Sequence, residues 1–147
     1  MILREMKPED LDEVLKIEEE SFKDPWTKNM FSGLFSSPQY KSFVYEAKGQ
    51  IAGYTSVIAT SYAFEIMNLA VKKDCRRQGI ARVLLGKILA TAIDVNADEV
   101  LLEVRRSNLS ARKLYENYGF KVDGVRPDYY GDEDAILMSL SLKEGLK

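Results

Sequence analysis

Between Met67 and Arg82 the hydrophobic period of the chain changes, and the change dictates a strand that turns into a helix. Met67, Leu69 and Val71 alternate as one face of a strand does. From Ile80 onward, Ile80, Leu84 and Ile88 form one helical row, with Ala81, Leu85 and Leu89 beside it. Lys72, Lys73, Arg76, Arg77 and Arg82 lie around the junction. The first N–H groups of a helix have no internal partner, and the macrodipole leaves that end partly positive, so cations gathered there cost something unless an anion joins them. Gly79 has no side chain and lets a bulky anion approach the backbone. A pyrophosphate site is one reading, and a solvated basic loop with a convenient glycine is the other. No Gly-Lys-Ser/Thr follows, which disfavours a Walker-type nucleotide loop.

At 147 residues the chain suits a single domain, 1–147, with room for a real core. The net charge is −2, which argues against nucleic acid or an anionic membrane as a partner. The basic cluster is therefore local and favours a small anionic ligand over a polymer. Cys75 is the single cysteine, so no internal disulfide can form and a reducing cytoplasm is the expected setting. Histidine is absent altogether. That removes serine–histidine and cysteine–histidine catalysis and most zinc sites, and no metal is expected. A general base must come from a carboxylate, a lysine, a tyrosine, the backbone or water. No signal peptide or apolar run of membrane-spanning length is present.

The remaining segments read in order. A short strand over Ile2 to Met6 precedes a helix opened by Pro8 and carried by Leu11, Val14 and Leu15. The run Glu18-Glu-Glu20 near its end reads as a solvated face. Thr27 can cap a second short helix, with Trp26 and Phe31 at the spacing of a hydrophobic staple. Lys41 to Ala47, a turn at Lys48-Gly49-Gln50, and Ile51 to Thr60 form a hairpin. Strands follow over Glu99 to Val104, Lys121 to Val125 and Ala135 to Leu142. Ser107 or Asn108 caps a helix closed by Gly119, with Phe120 packing back. The predicted order is β-α-α-β-β-β-α-β-α-β-β, an α/β chain with a mixed sheet.

Four motifs in this order carry a resemblance. Arg76-Arg-Gln-Gly-Ile-Ala81 matches the Q/R-x-x-G-x-G/A signature of the GNAT superfamily of N-acetyltransferases. Leu102-Glu-Val-Arg-Arg-Ser-Asn108 and the Leu-Tyr-Glu-Asn-Tyr-Gly-Phe ending at Phe120 are similar to the strand and helix that follow it in that family. Together with Met67-Asn-Leu-Ala-Val71, and with Tyr129-Tyr130 ahead of Asp134-Ala135, the chain resembles the RimI-type protein N-α-acetyltransferases over nearly its whole length. The resemblance implies the GNAT acyl-CoA N-acyltransferase fold and acetyl-coenzyme A as donor. Leu69, Ala70 and Val71 would offer backbone groups to the pantetheine arm, as to an added strand. The amides of Arg77, Gln78, Gly79, Ile80, Ala81 and Arg82 would hold the pyrophosphate, and Asn108 matches a position that contacts the cofactor.

The acceptor implied by the resemblance is a protein or peptide N-terminus. An α-amino group has a pKa of about 8 and is mostly protonated near neutrality, so a base is needed. Strand alternation puts Glu103 on one face with Leu101 and Arg105, where a solvated carboxylate or an ion pair is the plain reading. The match of Leu-Glu-Val-Arg to the family's base-bearing strand makes Glu103 the expected base, acting through water. Tyr115 is otherwise a core tyrosine, and the resemblance makes it the expected general acid. The Val71 N–H would polarise the thioester carbonyl. Cys75 has no activating base beside it and reads as a bystander. Phe22, Pro25, Trp26, Tyr129 and Tyr130 would wall the acceptor groove, tyrosines offering apolar surface and hydroxyls together. Acetylation of lysine side chains or small amines, or a non-catalytic acyl-CoA-binding subunit, are the competing readings. An auxiliary subunit or a homodimer is left open.

Overall fold

The computed structural model describes residues 1–143, and residues 144–147 of the expected 1–147 domain lie outside the described residues. The elements run β1 (Ile2–Glu5), α1 (Leu11–Ser21), α2 (Lys28–Ser32), β2 (Tyr40–Ala47), β3 (Gln50–Ala59), β4 (Ala63–Val71), α3 (Ile80–Asp94), β5 (Glu99–Arg105), α4 (Leu109–Asn117), β6 (Lys121–Arg126) and β7 (Ala135–Ser141). This is the predicted order. Short 3-10 turns at Pro8–Asp10, Gly33–Phe35 and Lys73–Cys75 are added to it. The strands form a seven-stranded mixed sheet ordered β1-β2-β3-β4-β5-β7-β6. The β4–β5 pairing is parallel and the β5–β7 and β6–β7 pairings are antiparallel. No helix among the described residues is long and apolar enough to cross a membrane.

The chain divides into two compact units: Met1–Ala59 with Met67–Ile88, and Thr60–Ile66 with Leu89 onward. In the first unit, β2 and β3 are joined by Lys48 and Gly49, both at positive φ (53° and 76°), as a two-residue turn matched to strand twist requires. Val14, Ile17, Phe31, Val44 and Tyr54 pack into one apolar cluster, with Phe22 and Trp26 against its edge. Trp26 and Phe31 meet at 5.2 Å between ring centroids, and the Thr27 hydroxyl accepts from the Met30 N–H at 3.3 Å. The staple and the cap are therefore both formed. Phe43, Ala52, Ile80 and Leu84 form a second cluster, with Leu69, Val71 and Cys75 packed on it. Here Gly53 sets the spacing: a Cβ at this position would lie 3.0 Å from Ile80 Cγ2, 3.1 Å from the Ala70 carbonyl oxygen and 3.2 Å from Leu84 Cδ1. A residue without a side chain lets the first turns of α3 sit this close to β3 without any of these neighbours giving way.

The acidic run of α1 departs from expectation. Glu19 and Glu20 are exposed, but Glu18 is 2% exposed. Its carboxylate accepts from the Trp26 N–H at 2.9 Å, from the Tyr54 hydroxyl, and from Asn68 Nδ2 at 3.4 Å. Asn68 Oδ1 in turn accepts from Ser56, and the Asn68 carbonyl accepts from Thr55 Oγ1 at 2.7 Å. Three donors hold the carboxylate where solvent cannot, which is the condition for burying such a group. Burial is the largest influence on Glu18 and raises its pKa above the usual carboxylate range, although the three hydrogen bonds oppose it.

In the second unit, β5 has Val100, Leu102 and Val104 buried, with Glu99, Leu101, Glu103 and Arg105 half-buried on the other face. β7 pairs with both neighbours: Arg105 opposes Ala135, which opposes Arg126, and Glu103 opposes Leu137, which opposes Gly124. α4 ends in a Schellman motif. Gly119 at φ 96° turns the chain, its N–H donating to the Glu116 carbonyl at 2.9 Å and the Phe120 N–H donating to the Tyr115 carbonyl at 3.0 Å.

Because the folded-state pKa of Glu18 is raised, its protonation stabilises the fold at low pH, and that contribution is lost as pH rises through the folded value. Glu18→Gln should therefore gain on the wild type in urea unfolding as the pH is raised from the ordinary carboxylate range. A stability difference that stays constant over this rise would show that the ionisation of Glu18 is not linked to folding.

Candidate active site

The first unit carries the residues expected at the donor. Leu69 and Val71 on β4 are half-buried on the cluster that contains Ile80, and Ala70 between them is buried. After β4 the chain enters the Lys73–Cys75 turn, and Arg77 and Gly79 both take left-handed backbone, at φ 64° and 83°. A Cβ on Gly79 would meet nothing within 4 Å, so the backbone there is open to a ligand. The Gly79 carbonyl accepts the Val83 N–H at 3.1 Å, which makes Gly79 the residue that starts α3. The amides of Ile80, Ala81 and Arg82 are then the first-turn N–H groups that have no i−4 partner within the helix. Arg77, Gln78, Gly79 and Arg82 are exposed, Ala81 is half-buried and Ile80 is buried.

The five cations of the junction are not one pool. Arg76 donates from Nε to the Val71 carbonyl at 3.0 Å and from Nη2 to Ser21 Oγ at 3.2 Å, so it ties the turn back to β4 and α1. The Lys73 N–H donates to Glu20 at 2.9 Å, and Lys72 Nζ donates to Gln50 at 3.4 Å. Cys75 is a free, half-buried thiol packed against the second cluster. Phe22 and Trp26 are half-buried and Pro25 is exposed, in a loop whose backbone is fixed at Trp26 by Glu18.

The second unit carries the residues expected at the chemistry. Glu103 Oε1 is 2.9 Å from Arg126 Nη2, and the Glu103 side chain is 20% exposed. Its other oxygen, Oε2, is buried and has no hydrogen-bond partner among the described residues. Glu103 thus forms the ion pair that its alternation allowed while keeping one acceptor unused. Tyr115 on α4 is buried, its ring 5.5 Å from that of Phe120. Burial alone pushes its phenol above the usual tyrosine value, so it stays protonated at any working pH. Asn108 is the N-cap of α4, Oδ1 accepting the Ala111 N–H at 3.3 Å, which gives it a structural task whatever else it contacts.

Tyr129 and Tyr130 stand on the loop between β6 and β7, 5.0 Å apart and edge to face. Each lies under an arginine that sequence reasoning missed. Arg105 stacks on Tyr130 at 4.2 Å and Arg126 on Tyr129 at 5.0 Å. Arg105 is held in place by Asp132 at 2.8 Å and Glu133 at 3.2 Å. Burial first, and the negative charge of Glu103 second, raise the pKa of Tyr130. Glu103, Arg126 and the two tyrosines therefore form one electrostatically connected group. The signal for Arg105 was its strand parity, since it shares its face with Glu103.

The chain matches the acetyltransferase (GNAT) domain over residues 2–132, and it belongs to that family of acetyltransferases, which use acetyl-coenzyme A. A relative in Escherichia coli (strain K12), named ribosomal protein bS18-alanine N-acetyltransferase, is 31% identical over 137 residues, 90% of this chain and 92% of the relative. The crystal structure of the ribosomal-protein-S18-alanine N-acetyltransferase from Escherichia coli superposes with a TM-score of 0.89 at 30% identity, covering 96% of this chain and 93% of that one. The Chaetomium thermophilum Naa20 structure, a complex with a bisubstrate analogue, gives 0.86 at 26% identity, covering 99% and 89%.

Replacing Asn108 by Ala removes the cap of α4 and should lower stability by about 1 kcal/mol, read by thermal unfolding. An unchanged melting temperature would show that the cap contributes nothing.

Proposed function

We propose that the protein moves the acetyl group of acetyl-coenzyme A to the N-terminal α-amine of a protein, by direct attack of the amine. The observation that carries this reading is the unused oxygen of Glu103, a buried carboxylate acceptor beside a pair of tyrosines in a chain without histidine. An unsatisfied buried acceptor costs roughly 1–3 kcal/mol, so its persistence suits a site whose donor arrives with the substrate. The α-ammonium, or a water bound to it, is such a donor.

Acetyl-coenzyme A supplies an activated acyl carbon on sulfur. The chain's own groups do the rest. Glu103 takes the proton of the ammonium, directly or through water, so that nitrogen can bond to the acyl carbon. Tyr115 gives its proton to sulfur as the carbon–sulfur bond breaks, and the second proton, shed by nitrogen as the amide forms, returns to the Tyr115 oxygen through water. The Val71 N–H polarises the carbonyl, Leu69 to Val71 align the pantetheine, and the amides from Arg77 to Arg82 hold the pyrophosphate at the start of α3. Asn108 adds a contact to the coenzyme. Phe22, Pro25, Trp26, Tyr129 and Tyr130 are the side chains offered to the acceptor peptide.

Glu103→Gln should lower kcat/KM by about 10²-fold or more, the scale of a lost general base. Activity within a few-fold of wild type would remove Glu103 from the role. Tyr115→Phe should reduce kcat while leaving coenzyme affinity intact, whereas a loss of affinity alone would make it a binding residue. The acceptor class is tested by acetylating a peptide library and mapping the product by fragmentation mass spectrometry. α-Amine modification supports the proposal; better use of free lysine or a polyamine overturns it, and no turnover at all favours a non-catalytic acyl-CoA-binding role.

A further inference from the structure

We propose that Arg126 is a positioning residue for Glu103, holding one carboxylate oxygen so that the other is presented to the acceptor. The inference rests on the reading of Glu103 as the base and assigns it a partner.

Three observations converge on Arg126. Its Nη2 meets Glu103 Oε1 at 2.9 Å and leaves Oε2 buried and unpartnered. A guanidinium facing a carboxylate commonly engages both oxygens in parallel, and that arrangement would occupy the acceptor the chemistry needs. The one-sided contact instead fixes the rotation of the carboxylate while sparing Oε2. The second observation is the sheet register. Arg126 ends β6 opposite Ala135, two rows beyond the Glu103–Leu137–Gly124 row and so on the same face, and it reaches Glu103 across β7. Ala135 and Gly124 on that path carry little or no side chain. The third is the stack on Tyr129 at 5.0 Å, with Arg126 itself about half exposed, at 53%. A planar guanidinium can donate to a carboxylate at its edge and cover a ring with its face, which an ammonium cannot do equally well. Arg126 thereby joins a residue expected to touch the acceptor peptide to the group expected to deprotonate it.

A side chain that acts only through Glu103 should lose its effect when Glu103 is gone. Arg126→Ala, Arg126→Lys, Glu103→Gln and the Glu103→Gln/Arg126→Ala double variant are compared with acetyl-coenzyme A and a synthetic peptide with an N-terminal alanine. Arg126→Ala should lower kcat/KM for the peptide about tenfold, and the double variant should be no worse than Glu103→Gln alone, as residues acting as a unit are non-additive. The KM for acetyl-coenzyme A should stay within about twofold, and Arg126→Lys should recover part of the loss, since its ammonium can pair with Glu103 but not stack equally well on Tyr129. Should Arg126→Ala unfold, read by circular dichroism, Arg126→Gln takes its place in the cycle. Full activity of the Arg126 variant, or losses that simply multiply in the double variant, overturns the positioning role while leaving Glu103 as base. Near-wild-type activity of Glu103→Gln overturns both readings.

Discussion

The close contact of α3 with β3 at Gly53 is the constraint on which the donor half depends. A helix whose N-terminus is to hold a phosphate must be fixed in height over the strand that feeds it. Here Ile80 and Leu84 are pressed to within about 3 Å of where a side chain on Gly53 would begin. Overpacking such a seam by one methyl group typically costs 1–3 kcal/mol, roughly the size of a whole helix cap. Arg76 adds a second tie, from the turn to the Val71 carbonyl. One cation of the basic cluster thus maintains the shape of the loop instead of meeting an anion.

A different kind of constraint holds the loop that follows α1. A main-chain N–H at Trp26 is satisfied by a carboxylate that also binds side chains of β3 and β4. Burying Glu18 without a cation is costly, and three donors are what make it tolerable. The loop is therefore fixed by its backbone at Trp26 as well as by the packing of Phe22 and Trp26 on the apolar cluster.

Much of this was legible in the sequence where the signal is local. The change of period at Ile80, the Thr27 cap with its Trp26–Phe31 staple, and the Gly119 stop each depend on residues within a turn or two, and all three are present. What could not be read depends on distant partners. Glu18 meets Tyr54 and Asn68 at separations of 36 and 50 residues, and although its spacing from Leu11 and Val14 sets it on their row, nothing local names the donors that let it be buried. Asn68 in the middle of an apolar strand and Gly53 within a strand were the clues: a polar residue that must find partners, and a backbone that something approaches. Arg126 lay beyond reach because its link to Glu103 crosses an intervening strand.

The Schellman ending of α4 has a consequence for how its tyrosine can change. Tyr115 occupies the third position from the helix end, where its carbonyl receives the Phe120 N–H and its ring lies against Phe120. The aromatic disc is thus part of the stop signal of the helix, and the hydroxyl is an appendage that the stop does not use. Phenylalanine in place of this tyrosine would keep the helix stop intact, so the hydroxyl and the fold around it can be lost separately.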